Sequence, residues 1–205
     1  MKGVFCPNCE EYTDVTLRTE KEVYNVRGEP IEIEAEIAIC QKCGASIFDE
    51  ERDSRNLGIA YSRYREKHNL LSPDEIRIIR EKYGLSQRAL SRLFGWGEIT
   101  IHRYEGGAIQ DNVHDSTLRL IEDPRNMRKI FEANRSKLPS YTAVGLEKRI
   151  ASFLQEDEEQ SFHISFERLV SHPYSDLTSG FKEYDLEKLK NMILYLVKCL
   201  DGVLI

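Results

Sequence analysis

The chain contains no apolar run long enough for a membrane-spanning helix. Its most apolar late stretches, residues 193–197 and 202–205, are both short. The patterns of common catalytic sites are missing as well. There is no His-Glu-x-x-His run, no phosphate-binding glycine loop and no nucleophile elbow. His102, His114, His163 and His172 are scattered, with no pair at metal-ligand or general-base spacing. These absences argue against an enzyme. General basicity is lacking too, since the formal net charge is −6. That excludes a uniformly basic nucleic-acid binder, but it leaves room for local positive charge. No secretory signal pattern is seen, so a cytoplasmic, reducing location is expected, where disulfides do not persist.

Cysteine is also scarce, yet four of the five form two spaced pairs, Cys6-Pro7-Asn8-Cys9 and Cys40-Gln41-Lys42-Cys43. Two residues between paired cysteines let one tight turn aim both sulfurs at one metal, and a four-thiolate set is the structural zinc pattern. Pro7 and Gly44 supply turn chemistry for the two knuckles. The alternatives are two disulfides or four buried thiols. Spacing and the expected compartment favour metal. Such a site is closed, so the Zn2+ would be structural and not catalytic. The fifth cysteine, Cys199, falls in a helical pattern and reads as a buried thiol.

The 30 residues between the pairs read as one β-hairpin. Val15, Leu17 and Val23 alternate with polar residues, as do Ile31, Ile33, Ala35, Ile37 and Ile39 with Glu32, Glu34 and Glu36. The turn is expected within residues 25–30. The apolar face is expected to pack toward the metal and the glutamate face to be wet. Asp49 then caps a helix with Leu57, Ala60, Tyr61 and Tyr64 at helical spacing that ends near His68-Asn69, and Tyr61 and Tyr64 are expected to pack against the β-sheet or a neighbouring chain.

Ser72-Pro73-Asp74-Glu75 is a capping box with proline at the first helical position. A helix over 73–83 buries Ile76, Ile79 and Tyr83 and stops at Gly84. Ser86 caps a second helix through Phe94, Gly95-Trp96-Gly97 breaks it, and a third helix spans about 98–105. Two short helices around a glycine turn make a helix-turn-helix unit; the plainer alternative is a generic helical bundle. Ile101 and Tyr104 face its core, which leaves Ile99, Thr100, His102 and Arg103 exposed. An arginine on such a helix can bond bidentately to guanine, while Ser86, Arg88 and Arg92 are candidates for phosphate. Residues 71–139 carry a net +2 where both flanks are acidic, so this segment is the expected double-stranded DNA-binding part.

Further helices are expected over 116–121, 124–134, 143–155 and 184–200. Glu156-Asp157-Glu158-Glu159-Gln160 reads as a linker, and residues 162–166 as a short strand or a helix start. The expected class is therefore α+β. A zinc-bound β-hairpin/knuckle module occupies residues 1–69, an all-α helix-turn-helix domain 70–139, and a helical extension 140–205. The last four residues, Gly202-Val203-Leu204-Ile205, are apolar, as expected where a longer protein has been cut.

The two cysteine pairs, the second as Cys40-Gln41-Lys42-Cys43-Gly44, resemble the YgiT-type zinc module. The run from Leu85-Ser86-Gln87 through Phe94-Gly95 to Arg103-Tyr104-Glu105-x-Gly107 resembles the helix-turn-helix of MqsA-type antitoxins. The likeness covers about residues 1–123. It implies a zinc module that meets a partner toxin and a DNA-binding domain that dimerises and represses the toxin–antitoxin operon. By position it assigns Cys6, Cys9, Cys40 and Cys43 to zinc and Arg103 to base reading. A family member has asparagine where this chain has Ile99, so one base-reading amide is missing. The stretch from about Tyr184 is similar to the opening of a Panacea-type antitoxin domain, which implies a further toxin-facing part. The competing reading is a protein-interaction module whose helix-turn-helix does not touch DNA.

Overall fold

The computed structural model describes residues 4–171, and its class is α+β. Residues through Leu154 form one compact unit and those from Gln155 a second. Strands β1 (Val4–Cys6) and β2 (Glu11–Thr13) pair antiparallel. Strands β3 (Val15–Val26) and β4 (Glu29–Cys40) form the long hairpin, and β5 (Ser46–Ile47) adds to β4 only at Ala38 and Ile39. Arg27 and Gly28 make the turn, both with positive φ, at 53° and 85°. That is the two-residue geometry whose twist matches paired strands. The Asn25 side chain accepts the Gly28 N–H at 2.8 Å and closes it.

This turn fixes the register, and the register corrects two expectations. Val23 lies opposite Glu32 and Leu17 opposite Ala38, so Val23 shares the glutamate face and both Val23 and Leu17 are exposed. The buried face is made by Val26, Ile31, Ile33 and Ala35, with Tyr24 and Ile37 at its margin. It packs not on the metal end but on helix α1 (Glu50–Lys67), against Ala60, Tyr61 and Tyr64. A 12-residue strand runs for about 40 Å, far beyond the reach of one metal site, and only a helix can cover it. Residues of the opposite parity, Ala38 and Cys40, join Cys6 and Ile47 beneath the cysteines. The glutamate row is exposed as expected, but Glu32 pairs with Lys21 at 2.9 Å and Glu36 with Arg52 at 3.2 Å.

Asp49 caps α1 by accepting the Arg52 N–H, and the helix gives way at His68 to Asn69, whose φ is 50°. Leu57 is exposed, while Asn56 is buried in the helix face that sequence assigned to apolar residues. Its amide accepts the Glu36 N–H at 3.1 Å and donates to the Glu36 carbonyl at 3.0 Å. β5 is too short to cover this part of β4, so one side chain pairs the strand edge in its place.

The helical part consists of α2 (Pro73–Lys82), α3 (Gln87–Phe94), α4 (Thr100–Glu105), α5 (Asn112–Leu120), α6 (Pro124–Asn134) and α7 (Ser140–Ser171). The capping box is complete: Glu75 N–H donates to Ser72 Oγ at 3.2 Å, and Ser72 N–H to Glu75 Oε2 at 2.7 Å. Ile76, Tyr83, Leu90, Leu93, Ile101 and Leu118 lie in one core with Met127 and Leu146. Helix α5 starts earlier than expected because Asp111 caps it, accepting the His114 N–H at 2.9 Å. The acidic run 156–160 follows the boundary between the two compact units but is helical, and 162–166 continues the same helix α7 rather than forming a strand. Neither proline nor glycine occurs between Leu146 and Ser171, and Glu and Gln sustain a helix well. The expectations for 184–200 and Cys199 fall outside the described residues. No helix among the described residues is long and apolar enough to cross a membrane.

Replacing Asn56 with alanine strands a buried N–H and C=O of β4. The expected loss is about 1–3 kcal/mol, read as a lower denaturation midpoint with an unchanged slope.

Candidate metal centre and nucleic-acid interface

Cys6 ends β1, and Cys9 follows in the turn before β2. Cys40 ends β4, and the next turn returns Cys43 beside it. The second knuckle is closed by Gly44 N–H to Cys40 O at 2.9 Å, with Gly44 at φ 72°. A substituted residue resists that angle, which gives Gly44 its purpose. The four sulfurs lie within 4.8 Å of one another. Across the knuckles, Cys6 and Cys43 Sγ are 3.7 Å apart, and Cys9 and Cys40 Sγ are 3.9 Å apart. A tetrahedron with zinc–sulfur bonds of about 2.3 Å has edges of about 3.8 Å. A disulfide needs about 2.05 Å, so the spacing suits a shared ion and not a bond. The four cysteines thus cluster as a zinc site.

Their protonation fits that use. The Cys40 thiol is drawn down to about 6, chiefly by the backbone N–H of Cys43. Cys43 is lowered, first by the Asn8 side chain. Cys9 is pushed up to about 12, mainly by its hydrogen bond with Cys43 and then by burial. Four thiolates repel unless a cation lies among them, so metal-free cysteines keep a proton that zinc displaces. Lys42, paired with Glu11 at 2.7 Å, brings positive charge to the rim of the cluster.

The helix-turn-helix is built around a buried carboxylate. Glu105, at the end of α4, has a side chain only 2% exposed. It accepts from Arg80 Nε at 2.5 Å and from Arg80 Nη2 at 3.0 Å. Gln87 Nε2 donates to it at 2.8 Å, and Arg77 Nε lies 3.7 Å away. Arg80 also donates to the Leu85 carbonyl at 2.9 Å. One ion cluster therefore ties α2, the start of α3 and the end of α4. Burial opposes the Glu105 charge, but Arg80 and Gln87 outweigh it and hold the carboxyl below its usual range. Sequence inspection picked out Gln87 and Glu105 as motif residues without assigning them this bond, and it missed Arg77 and Arg80.

Gly95, at φ 73°, ends α3, and residues 96–99 lead into α4. His102 and Arg103 are exposed, Thr100 is half-buried, and Ile99 is 61% exposed. Tyr104 is only half-buried, and its hydroxyl meets His114 Nδ1 at 2.6 Å. His102 Nδ1 lies 3.1 Å from Gln87 Oε1. Ser86 Oγ caps α3 by accepting the Ala89 N–H at 3.2 Å. Arg92 is engaged by Glu98 at 2.5 Å. Arg88 makes no hydrogen bond among the described residues but lies within the field of Glu98. Arg103 makes no side-chain hydrogen bond or ion pair among the described residues.

The zinc module grips the segment that follows α4. At the hairpin tip, Arg27 donates to the Ile109 carbonyl at 2.7 Å and to the Gln110 carbonyl at 3.2 Å. From α1, the buried Arg65 donates to the Gly107 carbonyl at 2.5 Å. Asp115 Oδ1 accepts the Leu71 N–H at 2.8 Å, and Gln110 Nε2 donates to the Leu71 carbonyl at 2.6 Å. The passage between the β and α parts is thereby held to α5. No local periodicity marks these contacts.

A family model described as the antitoxin component of a bacterial toxin-antitoxin system, MqsA, matches residues 1–126. No curated protein matches the chain.

Two outcomes are expected. Native mass spectrometry finds one zinc per chain, and Cys40→Ser loses it together with the β-sheet signal. Glu105→Ala leaves Arg80 buried without its partner and lowers stability by about 3–5 kcal/mol in denaturant titration. Because the folded Glu105 carboxyl titrates below its unfolded value, its contribution is full above the usual carboxylate range. It disappears as pH falls through the lowered value. The stability difference between wild type and Glu105→Gln should therefore shrink on acidification.

Proposed function

The chain belongs to the MqsA antitoxin family, and from that premise we propose that it is a zinc-containing transcriptional regulator that represses its own operon and neutralises a cognate toxin. Residues 1–69 serve as the zinc module, 70–139 as the DNA-binding domain and 140–205 as a helical extension. It works in the cytoplasm as a homodimer on double-stranded DNA, with half-sites about 34–36 Å apart on successive turns.

Arg103 carries the reading. It stands exposed on the second helix of a helix-turn-helix whose geometry a buried ion cluster holds, and no carboxylate among the described residues pairs with it. A guanidinium so placed is free to bond guanine O6 and N7 in the major groove. Thr100 and His102 flank it for base or phosphate contacts, while Ser86 and Arg88 stand at the start of α3 for phosphate. Arg92 reaches a phosphate only by releasing Glu98. Few free cations imply few phosphate contacts, so much of the affinity must come from base reading.

A protein-interaction module without DNA binding is the second reading. The Arg92–Glu98 pair and the acidic flanks favour it. Salt dependence separates the two, because phosphate contacts make affinity fall with ionic strength.

Titration of duplex DNA from upstream of the protein's own gene, at two salt concentrations, tests the proposal. Salt-sensitive binding is expected. Arg103→Ala should lose about 1–3 kcal/mol of discrimination against a random duplex. Wild-type binding no tighter than to random DNA would sink the repressor reading.

A further inference from the structure

We propose that Ile99 reads a thymine methyl group close to the guanine taken by Arg103. The inference rests on the DNA-binding reading above and names part of what that surface recognises.

Ile99 precedes α4 and is 61% exposed, whereas Ile101, two residues on, is fully buried. The backbone that presents it is fixed from both sides. Its carbonyl accepts the Arg103 N–H at 2.9 Å, and Thr100 N–H donates to the Gly97 carbonyl at 2.9 Å. Glu98, its neighbour, is tied to Arg92. A β-branched side chain on a fixed backbone has few rotamers to lose on binding. Ile99 is therefore a stiff apolar knob turned outward.

Its surroundings select the occupant. Residues four apart on a helix lie on one face, so Ile99 and Arg103 address the same surface. Arg103 has no ion pair among the described residues, and residues 71–139 carry a net +2. An apolar protein partner would leave that guanidinium unmatched, whereas a nucleic-acid groove matches both groups. Thymine C5-methyl is the apolar group that the major groove presents. Four residues of helix rise about 6 Å, close to two base-pair steps of about 3.4 Å. The thymine should thus lie within two base pairs of the guanine.

Uracil differs from thymine by this methyl alone, which makes the test specific. Duplexes from upstream of the gene, each with one thymine replaced by uracil, are titrated with wild type, Ile99→Ala and Ile78→Ala. Ile78 is a comparably exposed isoleucine on a different helix, α2. The expected result is about fourfold weaker wild-type binding for uracil at one thymine position, the effect of one buried methyl-sized group. That sensitivity should vanish in Ile99→Ala and persist in Ile78→Ala. Sequence-specific binding that ignores every uracil, or a uracil effect retained in Ile99→Ala, overturns the Ile99 assignment and leaves the repressor reading standing. Wild-type binding with no sequence preference overturns both.

Discussion

Four sulfur atoms that must approach within about 3.8 Å around one ion set the terms for the whole N-terminal part. Cys9 and Cys40 lie at opposite ends of a stretch that is almost entirely hairpin, and the ion fastens those ends together. A two-stranded ribbon is marginal by itself, so metal binding contributes folding free energy here. With its base fastened and its tip set by Arg27 and Gly28, the ribbon keeps one register, and only one of its faces is apolar enough to take α1. The consequence reaches further than the sheet. Arg27 at the tip and Arg65 on α1 both donate to carbonyls just beyond α4. Loss of the sulfur cluster would therefore loosen the segment that follows α4, although its hydrogen bonds come from Arg27 and Arg65 and not from the four cysteines.

The helical part depends on a second constraint of a different kind. Burying Glu105 is unfavourable in isolation, and an apolar residue of its size would often serve stability as well. What the carboxylate adds is direction. Two oxygens can be satisfied by Arg80 and Gln87 only when α2, α3 and α4 stand at one mutual angle. A purely apolar contact would tolerate sliding between helices as short as α3 and α4. Helix α4 is six residues long and has no side-chain cap, so its own hydrogen bonds give it little independent stability. Its orientation is borrowed from the ion cluster at one end, from Ile101 and Tyr104 on its core side and from Trp96 in the turn before it.

Features set by local chemistry could be read from the sequence. The knuckles, the capping box at Ser72 and Glu75, the glycine that ends α3 and the exposure of Arg103 all follow from residues within a few positions of one another. Features set by partners far along the chain were not legible. The spacing of Tyr61 and Tyr64 pointed α1 at the sheet, as found, but alternation in the hairpin did not show which of its faces α1 would cover, and the exposure of Leu17 and Val23 followed only from the turn register. Nothing local marks Asn56 as buried, because a buried asparagine is sensible only beside an unpaired strand edge. The acidic run 156–160 read as a linker from its charge density, and it does follow the boundary between the compact units, but charge density did not show that it would be helical; in α7 helix propensity prevailed. The same limit held at the candidate site. Gln87 and Glu105 stood out as motif members, yet the bond that explains their pairing joins residues 18 positions apart.

An acidic chain would be an unusual vehicle for the DNA binding proposed above, and the distribution of its arginines bears on this. On α2 and α3, Arg77, Arg80 and Arg92 are each engaged by a carboxylate. Their positive charge is thus largely neutralised within the fold and contributes little to long-range attraction. Arg88 on α3 and Arg103 on α4 have no such ion pair among the described residues. A surface arranged this way attracts nonspecific DNA weakly, because that attraction scales with the number of phosphates neutralised. Base contacts are unaffected by such internal pairing. On the DNA-binding reading proposed above, discrimination would rest on a few side chains around Arg103 rather than on a basic field. A repressor of that kind would gain from weak nonspecific affinity, since fewer molecules would be held away from the operator.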